Sequence, residues 1–287
     1  MKIINDADMS EYTSFRAGGK ADRLVIPDTP EELAEALKEA EGEVLILGDG
    51  SDTLFRDGGF RGTVIKPGDG FSEIKVTGTR LTAGSSALLS QAAKAAAQGS
   101  LTGLECVSGI PGSVGGAVFM NAGAYGGEIK DVIESVTAIS RKTGELTEIP
   151  KEDLDLSYRH SVFAETGDVI VSAAFRLENG DRAEIEEKMR DLTEKRNSKQ
   201  PLRYPSAGSF FKRPEGYFAG KLIQDAGLKG LSVGGARVSE KHSGFIINTG
   251  GATAKDIIDL MYLVQNTVYD KFGVMLEPEV RIVGEDN

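Results

Sequence analysis

The sequence predicts an α+β fold, and three observations carry that prediction. Helical and strand patterns follow one another without the regular alternation of a doubly wound α/β domain. A short apolar strand at 44–47 ends in the turn Gly48-Asp49-Gly50-Ser51, as the first strand of a dinucleotide-binding unit would. The segment after it, 52–62, has no helical apolar period and holds three more glycines, so the helix that a Rossmann unit requires is missing. Seven glycines (Gly109, Gly112, Gly115, Gly116, Gly123, Gly126 and Gly127) crowd one stretch, and regular helices and strands avoid such density.

The elements follow in order. Thr29-Pro30-Glu31-Glu32 opens a helix that runs to about Ala40: threonine caps, proline sits first, and the acids face the helix dipole. A strand follows the 52–62 segment at 63–66. Residues 86–98 form an alanine-rich helix stopped by Gly99. The glycine run then reads as a buried, irregular wall, because Ile110, Pro111, Val114, Ala117, Val118, Phe119 and Met120 are too apolar for a solvated linker. Strands are expected at 132–139 and 169–177, with a turn near Thr143-Gly144. Asp181 and Glu184 form a capping box for a helix to about Asn197, whose buried stripe is Ile185, Met189 and Leu192. A last helix starts at Thr253 with Asp256 in the box position, buries Ile257, Met261, Val264 and Val268, and ends at Gly273. A terminal strand at 274–283 contains Pro278, which marks an edge or bulge. Boundaries near 75 and 200 divide the chain into 1–75, 76–200 and 201–287.

The chain has 287 residues and a formal net charge of −11, a poor balance for generic binding to nucleic acid or anionic membrane. Its N-terminus shows no secretory pattern and no apolar run is long enough to span a bilayer. The single cysteine, Cys106, excludes an internal disulfide, fits a reducing cytoplasmic setting, and reads as a small buried apolar residue. His160 and His242 lie far apart, and no spacing suits a metal. The acidity is uneven: Lys195, Arg196, Lys199, Arg203, Lys212 and Arg213 follow one another with no acid between them. That stretch is either a solvated basic face or a pocket for a small anion.

Three polar patches are candidates for chemistry: Ser157-Tyr158-Arg159, Ser206 to Lys212, and Leu276 to Arg281. Strand alternation would put Glu277 and Glu279 on one face unless Pro278 breaks it. Taken alone, each reads as a surface loop or edge strand before it reads as a site. The glycine run, too, is on its own as compatible with a glycine-rich turn region as with a wall against a flat ligand.

Taken together, the patches change that balance. Thr13-Ser14-Phe15-Arg16-Ala17-Gly18-Gly19, Leu47 to Ser51, Gly109 to Gly116, Asn121 to Tyr125, Tyr158-Arg159, Ala207 to Phe210, Lys241-His242 with Asn248, and Glu277 to Arg281 appear in one order. With these motifs the chain resembles the UDP-N-acetylenolpyruvoylglucosamine reductases of peptidoglycan synthesis, over nearly its whole length. It is similar to their shorter subclass, since no insertion follows Ser209.

The resemblance implies a FAD-binding fold of two α+β subdomains plus a third α+β domain for the substrate. It implies noncovalent FAD, NADPH as hydride donor, a nucleotide-sugar substrate, a cytoplasmic enzyme, and no obligate protein partner. It assigns Arg159, Ser209 and Glu279 to catalysis, with Ser209 as proton donor. Gly48, Asp49, Gly50, Ser51 and Asp52 would meet the FAD pyrophosphate. Ile110, Pro111, Gly112, Ser113, Gly115 and Gly116 would line the flavin, and Asn121 and Ala122 would continue that pocket. Tyr158, Lys199, Lys212, Lys241 and Asn248 would meet the substrate. Two positions depart from the pattern: Asp52 replaces the usual asparagine and sets a negative charge beside a pyrophosphate, and Arg213 replaces the asparagine of the longer subclass. The alternative within flavin chemistry is a related oxidase, often with flavin bound covalently to His or Cys; no histidine lies near the run, and Cys106 is the only candidate thiol. A non-catalytic flavin or nucleotide-sugar module would not need Arg159, Ser209 and Glu279 together.

Overall fold

The computed structural model describes residues 1–286. A four-stranded sheet near the N-terminus has the order Lys2–Asp8, Lys20–Ile26, Phe60–Ile65, Glu43–Ile46. The helix Pro30–Glu39 starts where its cap predicts, with the Thr29 hydroxyl accepting from the Glu32 N–H. Mixed helices and strands without strict alternation make the fold α+β.

The chain divides into two compact units. The first comprises Met1–Ile4, Leu24–Asp49 and Thr63–Arg196. Its centre is an antiparallel sheet in the order Leu146–Pro150, Ile133–Ile139, Val169–Arg176, Arg80–Gly84, Ile74–Thr77. Hairpin reversal after Ile139 uses Gly144 at φ +73°, a conformation open to glycine at little cost. Over this sheet lie the helix Leu89–Gln98 and a short helix, Val114–Phe119, whose apolar faces fill one core with Leu81, Val136, Phe163 and Phe175. A smaller core gathers Val25, Leu33, Ile65, Phe71, Ile139 and Val169.

The second unit comprises Asn5–Arg23, Gly50–Gly62 and Asn197–Asn287. The helix Ala254–Phe272 packs its buried stripe on a small antiparallel sheet, Ser232–Val233, Ala236–Val238, Ile246–Asn248. Phe15, Leu54, Phe210, Phe211 and Val280 complete that core. The last strand, Arg281–Val283, pairs in parallel with Thr53–Phe55, so the end of the chain closes on a segment far away in sequence.

Four expectations are corrected. Part of the glycine run is helical: the Ser113 hydroxyl accepts from the Gly116 N–H and starts Val114–Phe119 despite two glycines. The alanine-rich helix begins three residues later than expected, at Leu89. The helix Arg182–Lys199 is longer than expected and buries only Ile185, with Met189 and Leu192 half-exposed. The terminal strand is short, because Pro278 has no N–H for a ladder and leaves Leu276 to Val280 with one isolated bridge, to Phe211, in place of a strand pairing.

Candidate functional site

In the first unit the glycine turn and the glycine run meet. A Cβ at Gly48 would lie 2.7 Å from the Ser113 hydroxyl oxygen, and one at Gly115 would lie 2.9 Å from Ser85 Cβ. Both positions therefore require glycine for close approach. The Ser85 hydroxyl is buried and finds no partner among the described residues, although buried hydroxyls are normally satisfied. Below the turn, the Lys66 ammonium donates to the Gly48 carbonyl at 2.7 Å. Burial depresses its pKa, and the nearby carboxylates of Asp49 and Asp69 act the other way. Nothing in the sequence pattern singled out Lys66; its one signal is a lysine directly after a buried strand.

Ile110 and Gly112 lie half-buried in this region, Pro111 is exposed, and Gly112 takes φ +134°. Asn121 is different. Its side chain is fully buried, accepts from the Lys130 N–H at 2.9 Å, and donates to the Ser157 carbonyl at 2.9 Å and to Glu128 at 3.2 Å. Both N–H groups of that amide and one acceptor direction of its oxygen are spent on protein, so it has no N–H left to donate to a cofactor. Cys106 is half-buried and burial pushes its thiol pKa up, which agrees with an apolar packing role.

The same unit carries Tyr158 and Arg159 on a tight turn closed by mutual backbone hydrogen bonds between Ser157 and His160. Arg159 has φ +56° and its guanidinium carbon stands 4.9 Å from the centre of the Tyr158 ring. His160 braces the turn through Asp155, 3.3 Å away.

In the second unit the serine patch and the terminal acids are laced together. Glu279 N–H donates to the Phe210 carbonyl at 2.9 Å and Lys212 N–H donates to the Glu277 carbonyl at 2.8 Å, around an antiparallel bridge between Phe211 and Pro278. Ser209 thus sits one residue from the strand pair that carries Glu279. Its hydroxyl has a long 3.4 Å contact to the Phe211 carbonyl. Gly244 lies between Ser209 and His242: a Cβ there would be 3.3 Å from the serine oxygen and 3.0 Å from the ring. The Gly244 N–H donates to His242 Nδ1 at 3.1 Å, which assigns the ring proton of neutral His242 to Nε2. Burial lowers the His242 pKa, a hydrogen bond to the residue's own backbone opposes this, and the charge of Lys199 adds to the lowering.

Of the expected substrate contacts, Lys199 is exposed. Lys212 is ion-paired with Glu277, and Lys241 donates to the Asn197 carbonyl at 2.6 Å. Asn248 departs from expectation. Buried, it donates to the carbonyls of Phe15 and Arg16 and accepts from Gly250 and Ala252, so it fixes the 13–19 motif rather than offering an amide outward. Gly50 serves the same motif, since a Cβ there would fall 2.0 Å from the Tyr12 carbonyl oxygen. Ser51 follows it in the turn, half-buried. Asp52 acts on Arg281 within the second unit: burial lowers the pKa of Arg281, and the charge of Asp52 acts against that lowering.

The chain matches the family model for the UDP-N-acetylenolpyruvoylglucosamine reductase C-terminal domain over residues 200–283, and an FAD binding domain model over residues 21–150. A UDP-N-acetylenolpyruvoylglucosamine reductase of Clostridium perfringens is 53% identical over 287 residues, covering 99% of this chain and 94% of its own. The chain belongs to the UDP-N-acetylenolpyruvoylglucosamine reductase family. A reductase of Clostridioides difficile with the same description is 50% identical over 284 residues, covering 98% of this chain and 93% of its own. The crystal structure of the Thermus caldophilus family member, at 35% identity, superposes with a TM-score of 0.86 over 99% of this chain and 98% of that one. The family's flavin fits the first unit on its own evidence. At Gly116 an added Cβ would meet only the Ser113 hydroxyl, at 3.5 Å, so backbone is open there to a flat group, and the nearby Ser85 hydroxyl is buried without a partner among the described residues. No helix of the described residues is long and apolar enough to cross a membrane.

Proposed function

We propose that this chain reduces the enolpyruvyl ether of UDP-N-acetylenolpyruvoylglucosamine to the lactyl ether of UDP-N-acetylmuramate, a step of peptidoglycan synthesis. A hydride and a proton add across one carbon–carbon double bond, and NADPH is oxidised to NADP⁺. Noncovalent FAD, when bound, supplies the hydride relay between the two substrates. Gly48 to Asp52, Ile110 to Ser113, Gly115, Gly116 and Ala122 would hold it, with Lys66 fixing the turn from beneath. In this reading residues 1–75 and 76–200 serve the flavin and 201–287 the substrate.

The chain's own groups supply the proton and the charge. Ser209 donates the proton to the carbon beside the hydride acceptor, and its one hydrogen bond among the described residues, a long 3.4 Å, leaves that proton lightly held. A hydroxyl is a weak acid, so a preorganised electrostatic site must favour its transfer. Arg159 faces the substrate carboxylate, where charge builds as the double bond is reduced. Glu279 is held beside the serine segment by its own backbone, and that lacing of Phe210–Lys212 to Glu277–Glu279 is the observation that carries the assignment. Tyr158 and Lys199 serve substrate binding, Lys199 opposite the diphosphate. The enzyme works in the cytoplasm and needs neither a nucleic acid nor a protein partner.

The direct test is NADPH consumption by purified, FAD-loaded protein with the enolpyruvyl nucleotide sugar as the only acceptor. Stoichiometric UDP-N-acetylmuramate is expected. NADPH oxidation that yields only hydrogen peroxide would point instead to an oxidase.

A further inference from the structure

We propose that Asn121 and Ser161 are positioning residues for Arg159, joining the turn that carries it to the end of the glycine run. The proposal rests on the assignment of Arg159 to the substrate carboxylate.

Two anchors reach the turn from opposite sides. Asn121 Nδ2 donates to the Ser157 carbonyl at 2.9 Å, two residues before Arg159. The Ser161 hydroxyl donates to the Phe119 carbonyl at 2.7 Å, two residues after it. Both side chains are fully buried, while Ser157 and Tyr158 are exposed. The short stretch from Phe119 to Asn121 thus clamps both ends of an otherwise surface-lying turn.

The orientation of the Asn121 amide follows from its neighbours. Turned over, its oxygen would face the Ser157 carbonyl and the Glu128 carboxylate, both acceptors, and its NH₂ would face the Lys130 N–H, a donor. The amide therefore has one satisfied orientation, and in it the Ser157 carbonyl has one position. Asn121 itself takes φ +40°, which asparagine tolerates better than most residues. Arg159 takes φ +56°, a conformation that an arginine keeps only when its surroundings hold it.

A long guanidinium side chain on a free turn would sample many positions, and small misplacements of a charged group are costly in a reaction. Fixing the backbone on both sides of Arg159 confines where its side chain starts. This also gives the motif asparagine a role other than touching the flavin.

The test is a double-mutant cycle on substrate-dependent flavin reoxidation, run with Asn121→Asp and Ser161→Ala in the natural and the Arg159→Ala backgrounds. Asn121→Asp keeps the acceptor for Lys130 and loses the donor to Ser157. Each variant is expected to slow reoxidation about tenfold when Arg159 is present and by less than about twofold once it is gone. FAD content and the rate of bleaching by NADPH should stay close to normal. Affinity for UDP-N-acetylmuramate, measured by calorimetry, should weaken with Arg159 present and not without it. Equal losses in the two backgrounds would overturn the proposal while leaving Arg159 in place. If Arg159→Ala itself reoxidises normally, the assignment of Arg159 fails and the proposal fails with it. Should Asn121→Asp not fold, Ser161→Ala decides by the same comparison.

Discussion

Gly115 and Gly116 are adjacent glycines with different reasons to be glycine. At Gly115 an added Cβ would press on Ser85 at 2.9 Å, so the neighbour it avoids is protein. At Gly116 the same atom would meet only the Ser113 hydroxyl, at an ordinary 3.5 Å. Gly115→Val should therefore destabilise the FAD-free protein by about 1–3 kcal/mol through overpacking. Gly116→Val should leave FAD-free stability near normal and lose FAD. Urea midpoints with and without FAD check both; full FAD occupancy in Gly116→Val would remove this residue from the flavin wall. His242 makes a pH-dependent prediction. Its folded pKa lies below the ordinary value, chiefly because it is buried. In the unfolded chain it takes a proton near pH 6.5, and in the folded chain only at lower pH, so folding stability falls as pH drops through and below about 6.5. His242→Gln should flatten that part of the curve, as read from urea midpoints at about pH 7.5 and about pH 5.5. An unchanged slope would show that another group sets it.

At the scale of elements, local chemistry was read most faithfully where a side chain closes a helix. Thr29 and Thr253 cap where the sequence places them, and Gly273 ends the last helix at φ +68°. Asp256 does more than its box position suggests: besides the Thr253 N–H it accepts from the Gly235 N–H, tying the helix to its sheet. Burial alone would raise its pKa, but these donors, the Thr253 hydroxyl and Lys255 outweigh it and hold the carboxyl below its usual range. Thr253→Ala should cost about 1 kcal/mol. Asp256→Ala should cost more, about 1–3 kcal/mol, because it removes the acceptor of two N–H groups, of which the one at Gly235 is partly buried. Equal urea midpoints for the two variants would contradict the sheet tie. What the sequence did not show was non-local. The helix within the glycine run depends on a serine cap outweighing two glycines. The exposure of Met189 and Leu192 depends on what covers them, and the shortness of the terminal strand depends on a partner more than 200 residues away.

Over the whole molecule, the ordered motifs were enough to name the family, but not to say what each residue in them does. Asn121 and Asn248 look alike in a motif and both prove to be internal clamps, because only coordinates show where an amide's hydrogen bonds go. Lys66 escaped notice for the converse reason, a lone lysine whose meaning comes from the carbonyl above it. Arg159 is carried by the first unit, and Ser209 and Glu279 by the second. The two half-reactions give these groups separable signatures. On the proposed assignment, NADPH reduces the flavin without any need for Ser209, whereas reduction of the enolpyruvyl group needs its proton. Stopped-flow absorbance of the flavin in Ser209→Ala, with saturating nucleotide sugar in the second half-reaction, is the decisive measurement. Bleaching by NADPH at close to the normal rate is expected, with reoxidation slowed by about 10²–10⁴ or more. Equal slowing of both halves, or full recovery of reoxidation at saturation, would contradict Ser209 as the proton donor.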